Sequence, residues 1–496
     1  MFSEIKKLAK QSAIYGVGQV ISPLLGFILL PVYTRFLDVD EYGVYQLTSV
    51  VGMFLTAIMG LGINSGLVRI YFTYDSDEDK NKVISTCIYF STVSSLLFAI
   101  VIWFISPYVS PLLFEVPNSD YLLKLLSITL IFQIVGGNML GVLRAEEKAS
   151  LYTGFTVFTL VLSLSLNILF VAVFDRKIEG LLEAQLITNA LNTIILFPLT
   201  MRGKKITYSN KIIKEVMAFG APLIPALVAD MVLSMADRYF INYYADSAQV
   251  GLYSLGYRIA AMITVVISKP FKIAWPPYMF RVAKQENAKE IYKIVLVYFV
   301  FAAVWFGLAL SVISREILVV LTTPQYYDAY TIVPLIVLSY VLFGMVSILI
   351  AGIHITKKTK YGAIFTIVSA SVNTVLNFLL IPSMGMMGAA ISTIISYIVL
   401  NAGIFRYSQK LYPIKHEFGR MGKLFFLGAA LYFVSLITLY LDSIVIIIIL
   451  KVILILSFPV FLILLQFYKP EEKKEINAFY KRAIKPKLLK VVKIGG

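Results

Sequence analysis

Long apolar runs recur along the whole chain, and they constrain its fold more than any other feature. Several runs exceed the roughly 20 residues that an α-helix needs to cross a bilayer. The chain is 59% hydrophobic and 15% charged, whereas soluble proteins carry about 25% charged residues. A transmembrane β-barrel would show short alternating strands instead of solid runs. We therefore predict an all-α polytopic membrane protein.

The positions of the runs predict about fourteen transmembrane helices. These spans are placed at 12–34, 43–66, 83–106, 121–143, 150–174, 178–201, 216–236, 249–269, 291–313, 328–353, 361–381, 385–407, 420–441 and 443–468. The connections between them are mostly short, so consecutive spans are expected to pack as antiparallel pairs.

Basic residues alternate between dense and sparse loops. Roughly 36 of the Lys and Arg residues fall on one side, which the positive-inside rule assigns to the cytoplasm. Membrane topology thus explains the formal net charge of +16, and no nucleic-acid partner is expected. Fourteen helices with both termini in the cytoplasm satisfy the pattern, which predicts a multi-pass protein of the cell (inner) membrane.

A sequence repeat divides the spans into two sets. The stretch 33–45, YTRFLDVDEYGVY, closes the first run and opens the second, and the stretch 237–253 has the same place in the second half. An even number of helices per repeat gives both halves the same orientation, so they form parallel repeats. The matching residues are Arg35 with Arg238, Gly43 with Gly251, and Tyr45 with Tyr253.

The repeat predicts four parts of the chain. An N-terminal lobe of six helices covers 1–211, and a C-terminal lobe of six helices covers 212–410. An extra helix pair follows over 411–468. A basic cytoplasmic tail covers 469–496, and its interleaved basic and apolar residues are expected either to lie on anionic lipid headgroups or to be solvated.

Charges inside the apolar runs are candidates for function, because a charge at membrane depth usually faces a bundle interior or a water-filled cavity. Arg258 lies about nine residues into its helix, near the bilayer centre at about 1.5 Å per residue. Asp230 lies on the preceding helix at a similar depth. We expect the two side chains to be close, either as a structural ion pair or as a substrate or coupling site.

Prolines mark the first helix of each predicted lobe. Pro23 lies in the first span, and Pro222 and Pro225 lie in the seventh. They are expected to kink these helices, either for static packing or to line a substrate path. Gln19 and Tyr257 are polar candidates for the same path.

Two further cations are expected at the cytoplasmic mouth. Arg69 follows the second span, and Lys272 follows the eighth, so they occupy equivalent places in the two lobes. Together they would form a basic vestibule suited to phosphate oxygens.

Enzyme and metal motifs are not indicated. Cys87 is the single cysteine, and His354 and His416 have no neighbouring Cys or His at metal-ligand spacing. The sequence lacks a glycine-rich phosphate loop and an HExxH motif. We predict a transporter rather than an enzyme, with no metal and no cofactor.

Several stretches resemble a known family. LPVYTRFLDVDEYGVYQL and GLGINSGLVRIYF resemble the opening of Wzx-type polysaccharide flippases, which belong to the multidrug/oligosaccharidyl-lipid/polysaccharide exporter (MOP) superfamily. FGAPLIPALVADMVLSMADRYFINYY and VGLYSLGYR resemble the second half of that family. The similarity covers most of the first 407 residues. The resemblance assigns its signature positions to Arg35, Gly43, Asp237, Arg238 and Gly251.

The resemblance implies two six-helix lobes in a V around a central cationic cavity. It also implies movement of a polyprenyl-diphosphate-linked oligosaccharide from the cytoplasmic to the outer leaflet, for an O-antigen, a capsule or a similar polysaccharide. The extra helix pair is a departure, because many members stop near twelve helices, and it resembles the lipid II flippases of the same superfamily.

Partners and energy source follow as expectations. The expected partners are the lipid-linked substrate, membrane lipids, a glycan polymerase and glycosyltransferases. The protein itself is expected to be a monomer. A proton or sodium gradient is the candidate energy source.

Two other functions stay open at this point. A cation-coupled multidrug or small-molecule exporter would carry several acids in its cavity, whereas Asp230 is the one deeply placed acid that the sequence indicates. A membrane-embedded transferase or polymerase would need a large extracytoplasmic loop with catalytic groups, and the predicted outer loops are short. The sequence favours the flippase.

Overall fold

The computed structural model describes residues 27–114 and 116–479, and throughout these ranges the regular secondary structure is helical. The α-helices are α1 Leu30–Phe36, α2 Val39–Met59, α3 Ile63–Tyr71, α4 Asp77–Leu113, α5 Ser119–Ala145, α6 Ala149–Asn167, α7 Lys177–Met201, α8 Asn210–Gly220, α9 Ile224–Met235, α10 Asp237–Tyr244, α11 Ser247–Ala260, α12 Lys269–Val282, α13 Ala288–Leu321, α14 Val333–Leu349, α15 Ala351–Ile355, α16 Lys360–Leu411, α17 Phe418–Ser435, α18 Ile444–Leu464 and α19 Pro470–Phe479. Short π-helical turns at Ile168–Val173 and Thr264–Ser268 and 3₁₀ turns at Ala221–Leu223, Pro324–Ile332 and Leu436–Tyr440 join some of them.

Twelve helical segments in this part of the chain are long and apolar enough to cross a membrane. One of them, α16, has 52 residues, far more than the roughly 20 that one crossing needs. Gly385 breaks it with φ 53° and ψ −135°, and the Ser369 hydroxyl then donates to the carbonyl of Ser396 across the turn. The segment is therefore a hairpin of two spans, and the predicted polytopic all-α fold is confirmed.

The first predicted span, 12–34, lies largely outside the described residues, and so do Gln19 and Pro23. The basic tail beyond 479 lies outside them as well. Each of the other thirteen predicted spans has a helical counterpart, counting the α16 hairpin as two.

Two spans are interrupted within the membrane region. Between α2 and α3, Leu61 and Gly62 adopt positive φ angles of 49° and 69°. Between α8 and α9, the 3₁₀ turn contains Pro222, and Pro225 follows in the first turn of α9. Proline has no N–H to donate to the preceding turn, so the helix tightens into a 3₁₀ turn where the sequence predicted a kink in the seventh span.

The helices pack as two groups. In the N-terminal group, α1–α7, α5 packs between α4 and α7, and α2 lies against both α5 and α7. In the C-terminal group, α8–α16, α14 packs between α13 and α16, while α9 and α10 lie against α16. The groups meet where α11 crosses α2 and where α8 packs on α3.

The second span begins in the same way in both groups. Asp38 caps α2 by accepting from the Glu41 amide at 2.8 Å, and the Glu41 carboxylate accepts from the Asp38 amide at 3.1 Å. Asp246 caps α11 by accepting from the Gln249 amide at 2.6 Å. Such caps satisfy the free amides of a helix start. The repeat is thus visible in local structure, and superposition of the complete lobes stays a prediction.

The extra helix pair, α17 and α18, packs against α13 and makes polar contacts with it. The ammonium of Lys451 lies 2.7 Å from both carboxylate oxygens of Glu316, and the Lys451 side chain is 5% exposed. The Trp305 indole donates to the carbonyl of Ile455 at 2.8 Å. These contacts hold the pair on the C-terminal group.

A charge network supports the pair at its predicted cytoplasmic end. Glu417 lies 2.6 Å from the Lys469 ammonium, 2.8 Å from the Arg420 guanidinium and 3.2 Å from the Lys293 ammonium. Partial burial alone would raise the pKa of Glu417, but these hydrogen bonds lower the pKa to about 2. A lowered carboxyl pKa stabilises the folded state above the unfolded pKa of about 4.3. The contribution is therefore present at neutral pH and is lost as the pH falls toward 2.

Replacing Lys451 with Met is expected to destabilise the protein by about 3 kcal/mol, because Glu316 then keeps a mostly buried charge without its cation. The double variant Lys451→Met/Glu316→Leu should recover most of the loss, since both charges are gone. Thermal unfolding of the purified protein in detergent measures this. Equal melting temperatures for the wild type and both variants would show that the pair contributes nothing.

Candidate functional site

The two groups touch most closely where two signature glycines meet. A Cβ on Gly43 would lie 1.8 Å from the Ser247 carbonyl oxygen, and a Cβ on Gly251 would lie 2.4 Å from the Val39 carbonyl oxygen. Real Cβ atoms do not approach other atoms this closely, so only glycine permits the crossing of α2 and α11. The signature glycines therefore form an interface between the two groups, at the face predicted to be extracytoplasmic.

Hydrogen bonds continue this interface. The Tyr326 hydroxyl donates to the carbonyls of Leu37 and Asp38 at 3.0 and 2.8 Å. Thr323 donates to the Thr34 carbonyl at 3.0 Å. The Thr34 hydroxyl lies 3.0 Å from the Leu30 carbonyl oxygen and 3.3 Å from the Leu321 carbonyl oxygen, so its one proton is shared between them. Side chains of the C-terminal group thus satisfy carbonyls at the end of α1. We call Gly43, Gly251, Thr34, Thr323 and Tyr326 the outer seam.

A second contact lies at the predicted cytoplasmic side, where the two helix interruptions meet. A Cβ on Gly62 would lie 2.3 Å from the Gly220 carbonyl oxygen, and a Cβ on Gly220 would lie 2.3 Å from the Gly62 carbonyl oxygen. Nearby, the guanidinium of Arg69 stacks 4.7 Å from the ring centroid of Phe219. We call Gly62, Gly220, Arg69 and Phe219 the inner seam.

Arg258 extends from α11 toward the N-terminal group. Its guanidinium carbon lies 5.9 Å from the centre of the Tyr42 ring, and it interacts electrostatically with Tyr42, Tyr45 and Tyr33. These tyrosines contact one another, with 5.6 Å between the ring centres of Tyr33 and Tyr45 and 6.4 Å between those of Tyr42 and Tyr45. A cation of one group thus faces an aromatic surface of the other.

Asp230 does not lie beside Arg258, so this part of the prediction is wrong. Among the described residues, the ion pairs do not join the two, and the electrostatic partner of Asp230 is Lys272. The two helices have different main neighbours, because α9 packs on α16 whereas α11 packs on α2. Lys272 itself lies over Phe343, with its ammonium 3.6 Å from the ring centre.

A buried ion pair occupies the second signature. The Arg238 guanidinium donates to the Asp237 carboxylate at 2.9 Å, and the two side chains are 5% and 2% exposed. The Tyr253 hydroxyl donates to the same carboxylate. Arg238 also lies 4.4 Å from the ring centre of Tyr257. The sequence predicted Asp237 and Arg238 only as signature positions, although an adjacent acid and base within an apolar run already indicate a paired charge.

The matched position in the first group differs. Arg35 lies in the last turn of α1 and is exposed, and the residue before it is Thr34 rather than an acid. The repeat therefore conserves the glycine crossing but not the ion pair. Tyr257, predicted to touch substrate, is buried between Arg238 and Tyr340, whose ring centre lies 5.4 Å away.

The predicted site residues thus occupy separate places. Arg258 lies between the groups, Arg69 lies at the inner seam, and Lys272 lies with Asp230 in the C-terminal group. Groups of three or more His, Cys, Asp or Glu side chains able to hold a metal do not occur in the described part of the chain.

Comparisons with known proteins agree with this architecture. A family model described as polysaccharide biosynthesis protein matches residues 32–331. The Lsg locus putative protein 1 of Haemophilus influenzae is 25% identical over 334 residues, which cover 64% of this chain and 78% of that protein. An uncharacterized membrane protein of the same organism is 24% identical over 329 residues, covering 64% of this chain and 74% of that protein.

Solved structures show the same fold. The lipid II flippase MurJ in an inward closed conformation superposes with a TM-score of 0.73 at 17% identity, covering 92% of this chain and 100% of the MurJ chain. An inward-facing MATE family transporter of the MOP superfamily gives a TM-score of 0.61 at 16% identity, covering 81% and 95%. The resemblance predicted from the sequence is confirmed. Because the family model spans more than half of the chain, the chain belongs to the polysaccharide biosynthesis protein family and has the fold of MOP superfamily transporters.

Proposed function

We propose that this protein is a flippase that moves a polyprenyl-diphosphate-linked oligosaccharide from the cytoplasmic to the outer leaflet. The observation that carries the proposal is Arg258, a cation at membrane depth that extends from one helix group toward the other. A diphosphate cannot enter an apolar passage without compensation for its lost hydration. A guanidinium supplies charge-assisted hydrogen bonds, frequently two at once, to phosphate oxygens.

The route begins, in this proposal, at the cytoplasmic leaflet. Within the passage, Arg69 at the inner seam meets the diphosphate before Arg258 receives it between the groups. Lys272 is less suited to this role than the sequence suggested, because Asp230 already lies near it. Tyrosine hydroxyls such as those of Tyr42 and Tyr45 offer partners to the sugar, while the polyprenyl tail stays in lipid.

Alternating access follows from the two seams. Opening the inner seam while the outer seam is closed admits substrate from the cytoplasmic leaflet, and the reverse releases it outside. The outer seam is suited to reversible opening, because the carbonyls of Leu37 and Asp38 can bond water when Tyr326 withdraws.

A cation-coupled multidrug exporter is the second candidate, since MATE transporters share the fold. The surroundings of the two acids, Asp237 and Asp230, argue against the exporter. Asp237 is neutralised by Arg238, and Asp230 lies near Lys272, so each acid already has a cation nearby. A proton or sodium gradient remains the proposed energy source for either function, and a glycan polymerase and glycosyltransferases remain the proposed partners.

Deleting the gene and analysing the lipid-linked sugars tests the proposal. A flippase mutant should accumulate the complete polyprenyl-diphosphate oligosaccharide in the cytoplasmic leaflet and lose surface glycan. The plasmid-borne wild type should reverse both changes. A deletion strain with normal surface glycan and increased drug sensitivity would instead indicate the exporter.

A further inference from the structure

A cavity of about 580 Å³ lies beside α12, toward the end of the eighth span that is predicted to be cytoplasmic. We call it the ring pocket. It is lined by Phe271, Ala274, Trp275, Pro277, Tyr278, Arg281 and Val295. Arg258 lies 23 positions before Arg281, which is roughly 35 Å along a helical path at about 1.5 Å per residue. The ring pocket is therefore separate from the cation between the two helix groups.

The aromatic side chains of the ring pocket are held in place by their surroundings. Trp275 donates its indole N–H to the Ser347 carbonyl at 3.0 Å, and its ring stacks on Phe271 with 5.4 Å between centres and 17° between planes. Tyr292 lies edge-on to Trp275 and donates to the Met279 carbonyl at 2.7 Å. The stacked rings are thus ordered before any ligand arrives, which lowers the cost of binding.

Polar groups accompany the rings. The Arg281 guanidinium lies 5.3 Å from the ring centre of Tyr278, and both side chains are exposed. Pro276 and Pro277 lie inside α12. Because proline has no N–H, the carbonyls four residues earlier, those of Lys272 and Ile273, lose their usual helical donors. An aromatic surface and a guanidinium thus occur together within three turns of helix.

We propose that the ring pocket is a recruitment site for the head of the lipid-linked saccharide in the cytoplasmic leaflet. The C–H face of a sugar ring packs on an aromatic ring, and a guanidinium binds the adjoining phosphate. A bilayer lipid without a sugar can make only the guanidinium–phosphate contact. The inference rests on the proposed function and adds a binding step before Arg258.

Replacing Tyr278 with Ala and Arg281 with Gln together tests the recruitment step in a deletion strain. A weaker recruitment site raises the substrate level needed for transport without changing the passage. We expect the cytoplasmic pool of lipid-linked saccharide to rise about fivefold, after which surface glycan returns to the wild-type level. Tyr278→Phe, which keeps the ring, and Tyr208→Ala, which removes an exposed tyrosine elsewhere, should leave the pool unchanged.

Arg258→Ala, measured in parallel, separates this inference from the proposed function. If Arg258→Ala stops export while the double variant leaves the pool unchanged, the recruitment site is overturned and the flippase stands. The recruitment site is also overturned if the double variant loses export and a larger cytoplasmic pool of lipid-linked saccharide does not restore that export. Normal export by Arg258→Ala would remove the proposed function and the recruitment site together.

Tryptophan fluorescence identifies the class of lipid. Trp103→Phe and Trp305→Phe leave Trp275 as the single reporter in the full chain. In phosphatidylcholine nanodiscs, adding phosphatidylglycerol should leave the emission unchanged, whereas geranyl diphosphate carrying N-acetylglucosamine should quench it more than geranyl diphosphate alone. Equal quenching by phosphatidylglycerol, or by geranyl diphosphate without sugar, would assign the pocket to anionic lipid and overturn saccharide recognition.

Discussion

Arg258→Ala is expected to lower surface glycan at least tenfold while the protein still reaches the membrane. The substrate diphosphate would lose the cation that extends between the helix groups. A hydrogen bond to a charged group contributes about 1.5–3 kcal/mol, and about 1.4 kcal/mol corresponds to a tenfold change in rate. The measurement is surface glycan in a deletion strain complemented with each variant, with the membrane level of the protein quantified alongside.

Companion variants sharpen this result. Arg258→Lys should retain part of the export, because the positive charge remains but the bidentate contact to phosphate is lost. Arg69→Ala should also reduce export, whereas Arg202→Ala, at an exposed helix end, should not. Normal glycan from the triple variant Arg258→Ala, Arg69→Ala and Lys272→Ala would rule out a cationic route through this protein.

The spans could be predicted from the sequence, because hydropathy depends on the number of apolar residues in a row. The change in helical geometry near Pro222 and Pro225 followed from the missing N–H of proline. The match between Gly43 and Gly251 was also visible in the sequence, because a nearly constant offset separates the matched positions of the two repeats. Only the structure shows that these glycines lie where α2 and α11 cross in direct contact.

The direction in which a side chain points could not be predicted. Asp230 and Arg258 lie on consecutive spans and were predicted to be at comparable depth, yet one is near Lys272 and the other faces Tyr42. Depth follows from counting residues, but direction around a helix axis depends on which neighbour the helix packs against. At Arg35 the repeat matches the residue type but not its surroundings, because Thr34 precedes Arg35 whereas Asp237 precedes Arg238.

Gly43→Ala is expected to prevent the outer seam from closing and to lower export about tenfold. The added Cβ would lie 1.8 Å from the Ser247 carbonyl oxygen, so α2 and α11 must move apart. Overpacking costs about 1–3 kcal/mol, and about 1.4 kcal/mol shifts a two-state equilibrium tenfold. The shift favours conformations that are open on the outside, which traps the protein away from its cytoplasm-facing state.

A cysteine placed in the outer seam measures directly how often the seam opens. Thr34 is fully buried in the outer seam, so Thr34→Cys in a Cys87→Ala background should react with a membrane-impermeant maleimide from outside only when the seam opens. Adding Gly43→Ala should increase the labelling rate about tenfold, by the same free-energy argument. Gly154→Ala is the matched control, because its Cβ would meet no atom within 4 Å, and it should change neither labelling nor export. Unchanged labelling in Gly43→Ala, together with normal surface glycan, would show that the glycine crossing does not hold the outer side closed.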